Sequence, residues 1–245
     1  PSSNRGAHMA NSSKLIANHS AKSVAAEAYK TLRTNIQYSS PDKSLKVILV
    51  TSSAQSEGKS TTAANLAITL AQSDKRVLLV DCDLRKPSLH RVFGIINAKG
   101  VTNVLVQNVD SHEISNMVEI ENLEVLTSGP KPPNPSELLG SAKMESFISS
   151  VAAEYDMVIL DAPPLLPVTD AVVLARLADG VIFVVNYGKT THEMGVEAKA
   201  RLEKVNAKIL GVVINNTPIR RSGRYEYYYY YEDSDIRRQQ ARAQR

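Results

Sequence analysis

Apolar positions along this chain fall into two rhythms. Short continuous runs rich in Val, Ile and Leu occur at Lys46–Thr51, Arg76–Val80, Glu124–Leu126, Met157–Leu160, Val181–Val185 and Ile209–Ile214. Runs of this length, bounded by polar residues, predict buried strands. Between them the apolar residues recur at helical spacing over Lys59–Ala71, Ala142–Glu154, Asp170–Leu177 and Glu193–Val205, and a more polar helix is predicted at Ala25–Gln37. Continuous strands separated by helices predict an α/β fold with a mostly parallel central sheet and helices on both faces. Gly129–Pro135 holds too many prolines for a helix or a central strand and reads as a stiff loop. No internal repeat is visible. After Pro218 the periodicity stops and a segment of Arg, Tyr and acidic residues begins.

Composition adds bounds. A chain of 245 residues, 43% hydrophobic and 22% charged, suits one α/β domain with a full core. The expected division is residues 1–13 as a tag remnant and flexible N-terminus, 14–219 as the folded domain, and 220–245 as a flexible tyrosine-rich basic tail; Pro1–Met9 reads as the remnant of an expression tag. No apolar run approaches the ~18 residues of a membrane helix. Cys82 is the lone cysteine, which excludes an internal disulfide and points to a reducing cytoplasm. From Arg220 onward, seven Arg against four acids carry +3 of the net +4. The tail reads as a solvated end rather than a nucleic-acid arm, and no nucleic-acid partner is expected.

The candidate chemistry begins at Ser52–Thr61, where a loop follows a strand and opens a helix, the setting of a phosphate-binding P-loop. Backbone N–H groups of Ser56, Glu57, Gly58, Lys59, Ser60 and Thr61 are expected to cradle the phosphates of ATP. Lys59 is expected to neutralise them, and Ser60 to offer its hydroxyl to Mg²⁺. The alternative is a chance Gly-Lys-Ser at a helix start. The first glycine of the usual pattern is replaced by Ser53.

Two further motifs end buried runs. Asp81 and Asp83 sit two apart just past Val80; residues so spaced on an extended chain point the same way, so both acids are expected to face the nucleotide. One would hold Mg²⁺ through water and the other would accept a proton from an attacking hydroxyl. The competing reading is a pair of acids capping the next helix. Asp161, closing Met157–Leu160, matches a Walker-B acid that supports Mg²⁺. Cys82 reads as a small filler, since flanking carboxylates disfavour its thiolate.

Two features separate classes of P-loop protein. Partitioning and division-site ATPases carry a lysine early in the loop, where this chain has Ala54. The tail run Tyr225–Glu232 holds Tyr225, Tyr227, Tyr228, Tyr229, Tyr230 and Tyr231. Tyrosine favours strands, but an exposed strand of this kind would aggregate. A display of phenols flanked by acids reads as a phosphorylation substrate, each phosphate adding about −1.5 to −2 charges.

These residues together resemble the bacterial tyrosine kinases of capsular and exopolysaccharide synthesis, cytoplasmic type, from about Lys14 to Glu232. The likeness is carried by Glu27–Asn35, Gly58-Lys59-Ser60, Val80–Pro87, Thr127–Leu139, Leu160–Pro164 and the tyrosine tail. It implies a P-loop NTPase fold of the MinD/ParA-like subgroup and autophosphorylation of the tail in trans, with ATP and Mg²⁺ as cofactors. It also implies a ring-like homo-oligomer built through an E-x-x-R-x-x-R helix, here Glu27, Lys30 and Arg33. Lys30 replaces the middle arginine, so one planar bidentate contact is lost; the bland alternative is a solvated helix face. By the same resemblance a separate membrane protein of the export system activates the kinase and draws it to the inner face of the membrane, and a cognate tyrosine phosphatase opposes it. Lys59, Asp83 and Asp161 are then the ATP and metal residues with Ser60, and Asp81 is the general base, the roles of Asp81 and Asp83 being exchangeable. Asn215 resembles the adenine-contacting position, its alternative being a turn residue before Pro218. The competing function is a nucleotide-switched positioning ATPase.

Overall fold

The computed structural model describes residues 15, 17, 23–40 and 44–218. The proposed tag remnant, residues 219–245 and all six tail tyrosines lie outside the described residues. Elements run α1 (Val24–Tyr38), β1 (Val47–Ser52), α2 (Lys59–Ala71), β2 (Val77–Asp81), α3 (Leu89–Phe93), α4 (Val101–Gln107), α5 (Ser111–Ile114), β3 (Asn116–Met117), β4 (Leu123–Leu126), α6 (Pro135–Leu139), α7 (Ala142–Glu154), β5 (Met157–Asp161), α8 (Asp170–Ala175), β6 (Gly180–Asn186), α9 (His192–Glu203) and β7 (Ile209–Asn215). Among the described residues no helix is long and apolar enough to cross a membrane.

The strands form one sheet in the order β3-β4-β2-β5-β1-β6-β7. All pairs are parallel except β3 with β4. Parallel strands need crossovers, and the crossover helices cover both faces. The period of two along each strand feeds two cores. In β1, Ile48 and Val50 join Leu79 and Ile159 beneath α2, while Val47 and Leu49 join Val80, Leu160 and α7 on the other face. Every residue of β1, β2 and β5 is buried, which is why these strands read as continuous apolar runs rather than alternations. At ~1.5–3 kcal/mol per fully buried large apolar side chain, such strands are held by both faces at once.

The structure extends several strands by a residue at their carboxyl ends. Asp81 and Asp161 lie inside β2 and β5, paired with each other in register, rather than past the strands. A reading that stops at the last apolar residue misses a polar one whose backbone still pairs. The loop at Gly129–Pro135 ends earlier than expected, because Pro135 occupies the first turn of α6, where its missing N–H costs nothing. The short elements α3, α4, α5, α6 and β3 carried no legible period.

Candidate active site

The carboxyl ends of β1, β2 and β5 converge on one point, and the loop after β1 wraps it. Two left-handed residues, Ser56 (φ 63°) and Gly58 (φ 91°), turn this loop into the start of α2. Successive turned amides make an anion-binding nest, here continued by a helix N-terminus. Gly58 has a second constraint: a Cβ there would lie 1.9 Å from Asn215 Nδ2. Asn215, ending β7, donates from Nδ2 to the Glu57 carbonyl at 3.2 Å, so its side chain braces the loop from behind.

The Glu57 side chain has a part of its own in shaping the loop. Its carboxylate is buried and turned into the loop's interior. It accepts from Ser53 Oγ at 2.8 Å and from the Ala54 N–H at 2.9 Å. It also accepts from the Thr190 hydroxyl, whose oxygen in turn accepts from the Asn186 N–H at 2.8 Å. The serine standing where the usual first glycine would be is therefore used: Ser53 and Glu57 clip the loop closed and tie it to β6.

Lys59 meets two carboxylates and a hydroxyl. Its Nζ lies 2.9 Å from Asp83 Oδ2 and 3.2 Å from Asp161 Oδ1, and 3.2 Å from Ser60 Oγ. Burial pushes its pKa down, but Asp161, Asp83 and Asp81 outweigh this and raise it, so the ammonium is charged. Asp81 and Asp83 both act on the Lys59 charge, but only Asp83 borders the cleft. Asp81 is fully buried, and its carboxylate accepts from the N–H groups of Ser88 and Leu89 at 3.0 Å each and of Asp83 at 3.2 Å. The helix-capping alternative thus describes Asp81, which holds the first turn of α3. Burial, then the neighbouring Asp161, push its carboxyl up to about 7 against the pull of those N–H groups and Lys59. Asp83 lines the cleft and accepts from the Lys86 N–H at 2.9 Å. Cys82 points to the opposite core, where burial and the adjacent carboxylates raise its pKa, as expected of a filler.

The donor set fits a magnesium ion that arrives with phosphates. Among the described residues no cluster of three ligands could hold a metal alone. Mg²⁺ ordinarily takes one or two carboxylates, waters and substrate oxygens. Asp161 Oδ2 is buried without a hydrogen-bond partner, beside Ser60 and Lys59. Burial raises the Asp161 carboxyl, with Lys59 and Ser60 pulling the other way. An orphaned buried carboxylate oxygen is costly unless something cationic or a bound water meets it.

A cleft of about 390 Å³ opens above these groups. One wall is the loop from Gln55 to Thr61, another is Asp83, Arg85, Lys86 and Ser88, and the third is Pro163, Pro164, Pro167 and Val168. Sequence reasoning assigned no role to the two clamps behind the last two walls. Arg85 grips buried Asp170, at the start of α8, through Nε–Oδ2 at 2.8 Å and Nη2–Oδ1 at 3.0 Å. Arg201 of α9 donates to the carbonyls of Leu165 and Leu166 at 2.7 Å each. Only the helix-start position of Asp170 was visible in the sequence.

On α1, Glu27 and Lys30 pair with each other at 2.6 Å. Arg33 donates to the Thr69 carbonyl of α2 at 2.8 Å, so it fastens α1 to the domain.

A family profile described as an AAA domain matches residues 45–213. The chain is 44% identical over 225 residues to tyrosine-protein kinase YwqD of Bacillus subtilis (strain 168), spanning 92% of this chain and 94% of that protein. Among solved structures, the chimerical protein CapA2B2 superposes with a TM-score of 0.81 at 39% identity, covering 84% of this chain and 91% of its own. More distantly, the septum site-determining protein MinD of Pyrococcus horikoshii OT3, complexed with Mg-ADP, superposes at 0.61 and 26% identity, covering 73% and 72%.

Proposed function

The chain belongs to the bacterial tyrosine-protein kinases, and we propose that it transfers the γ-phosphoryl group of ATP to the tyrosines of its own tail. The observation that carries this reading is Lys59 with both Asp83 and Asp161 within 3.2 Å of its ammonium, beside a loop shaped for phosphate. Lys59 and the loop amides bind the phosphates and hold the γ-group in line. Magnesium, when bound at Ser60 and the free oxygen of Asp161, supplies charge neutralisation between the phosphates. The phenol oxygen attacks γ-phosphorus, the bond to the β–γ bridging oxygen breaks, and ADP leaves. Asp83 takes the phenol proton, because it is the acid of the pair that borders the cleft; with Ser60 and Asp161 it would also help to hold Mg²⁺. Asp81 holds the turn that positions Asp83. This exchanges the two roles relative to the first assignment from sequence. Asn215 contacts adenine from the brace it makes behind Gly58.

The resemblance supports the wider setting. The phosphoacceptors are Tyr225 and Tyr227–Tyr231, reached in trans within a ring of copies that uses Glu27, Lys30 and Arg33. The kinase is cytoplasmic, is recruited to the membrane by a separate activator, is reversed by a tyrosine phosphatase, and controls capsular or exopolysaccharide export. The alternative, a positioning ATPase, is disfavoured by Ala54, whose position carries no charge to offer across a dimer. The test is to measure ADP and phosphotyrosine in one reaction. The kinase reading expects phosphotyrosine to account for the early ADP. ADP with inorganic phosphate and no phosphotyrosine contradicts it.

A further inference from the structure

We infer that the cleft contains a built acceptor subsite, selective for tyrosines flanked by acidic residues, and that Lys86 is its specificity-determining residue. The inference rests on the kinase reading of the same site. It starts from a mismatch: a site for a triphosphate alone needs donors and cations on every side, but one wall here is Pro163, Pro164, Pro167 and Val168. Proline and valine cannot solvate phosphate. They suit a ligand with an apolar body and a polar tip, which is the chemistry of a phenol. The prolines follow β5 directly, so a ring laid on them would have its hydroxyl beside the strand ends that carry Asp161 and Asp83. This wall is held in its middle by Arg201 on the Leu165 and Leu166 carbonyls and just beyond its end by Arg85 on Asp170. A rigid apolar wall is what selection by shape requires.

The rim supplies the second half. Two cations, Arg85 and Lys86, also line the cleft, and they differ. The Arg85 charge is answered by the bidentate Asp170 carboxylate. Lys86 is exposed, and its Nζ meets the neutral Gln55 Oε1 at 2.8 Å; among the described residues it makes no ion pair. Its backbone N–H donates to Asp83 Oδ1, which anchors the base of this side chain next to the proposed base. A cation held at the mouth by a neutral partner is free to exchange that partner for an anion. In the acceptor run Tyr225–Glu232, Tyr227–Tyr231 are bracketed by Glu226 and Glu232, with Asp233 next, and Tyr225 is followed by Glu226. Complementary charge at a rim sets specificity and encounter rate more than affinity.

The test uses the full chain with Mg-ATP and three short peptides in which one tyrosine is flanked by Glu, by Gln or by Lys. Wild type and Lys86→Glu are compared, with KM for ATP measured in parallel. The expected result is that the wild type prefers the Glu-flanked over the Lys-flanked peptide by about two- to fivefold in kcat/KM, the size of an exposed charge pair. Lys86→Glu should invert that order and leave KM for ATP within about twofold. Equal rates on the three peptides, or labelling confined to the chain itself, overturn the subsite while leaving the kinase reading standing. A Lys86→Glu effect carried wholly by KM for ATP assigns Lys86 to phosphate and also overturns it. Absence of phosphotyrosine from every peptide and from the chain removes the underlying reading as well.

Discussion

Lys59 does two things with one ammonium: it waits for phosphate, and it neutralises a knot of carboxylates. The sequence placed it at the phosphates, away from the core. The structure adds that it is nearly buried between Asp83 and Asp161, with side chains 11%, 5% and 0% exposed. Lys59→Met is therefore expected to abolish phosphoryl transfer and also to destabilise the nucleotide-free protein, on the order of the ~3–5 kcal/mol lost when one partner of a buried pair is removed. The thermal midpoint should fall at pH 8 and recover part of that loss as pH is lowered, because burial already raises the Asp161 carboxyl and the loss of Lys59 removes the charge that opposes this; a variant as stable as wild type at pH 8 contradicts this. Asp81 gives a second pH signature. Its carboxyl binds a proton more tightly folded than unfolded, so folding takes up a proton between about pH 4 and about pH 7. The stability this group contributes is present below that window and is lost as pH rises through it. Asp81→Asn removes the titration at the cost of one capping acceptor. Its midpoint relative to wild type should shift upward from pH 5 to pH 8, and a constant difference contradicts the assignment. Compared in transfer and nucleotide affinity, Asp83→Asn is expected to lose transfer by about 10²–10⁴-fold, the range for a positioned base, with smaller change in ATP binding. Asp81→Asn should lose less. The reverse order returns the base to Asp81.

The phosphate loop is an element held from outside by side chains that only the fold brings near. Glu57→Ala leaves Ser53 Oγ, the Ala54 N–H and the Thr190 hydroxyl to find other partners, at about 1–3 kcal/mol for each buried group left unsatisfied. Nucleotide affinity should fall together with the thermal midpoint. Unchanged affinity would mean that the clip does not shape the loop. The sequence made the sheet legible because β1, β2 and β5 are buried on both faces and nothing polar interrupts them. It made the loop and its acids legible because a strand, a turn and a helix start leave a spacing. It did not show that Glu57 looks inward, since a glutamate beside Gly-Lys reads as one more loop residue. Nor did it show the Arg85–Asp170 and Arg201 clamps, whose partners are 85 and 35–36 residues away. The division of labour between Asp81 and Asp83 was equally hidden. It depends on whether Ser88 and Leu89 turn their N–H groups back to β2, a property of the five-residue α3 that has no period.

At the scale of the whole molecule, the site and the tail are joined through the short stretch that follows β7. Ten steps separate Asn215 from Tyr225, a reach of at most ~33–36 Å, which serves the chain's own site or a neighbour's. A ring would favour the neighbour by raising its effective concentration. Arg33 is already engaged with Thr69 and Lys30 with Glu27, so ring contacts through α1 must share or displace these bonds. The unphosphorylated chain is expected to self-associate with Mg-nucleotide and to become smaller once phosphotyrosines crowd the tails with negative charge. Light scattering that returns identical masses for both forms contradicts this switch. Mixing Lys59→Met chains with active chains whose six tail tyrosines are Phe tests the direction of transfer, since only a trans step labels the inactive chain. The central claim itself is tested most directly by mapping phosphate by mass spectrometry on the purified chain after incubation with Mg-ATP, beside Lys59→Met treated in the same way. The account predicts phosphate on Tyr225 and Tyr227–Tyr231 of the wild type and none on the variant. An unmodified wild-type tail, or a variant labelled as well as the wild type, would contradict it.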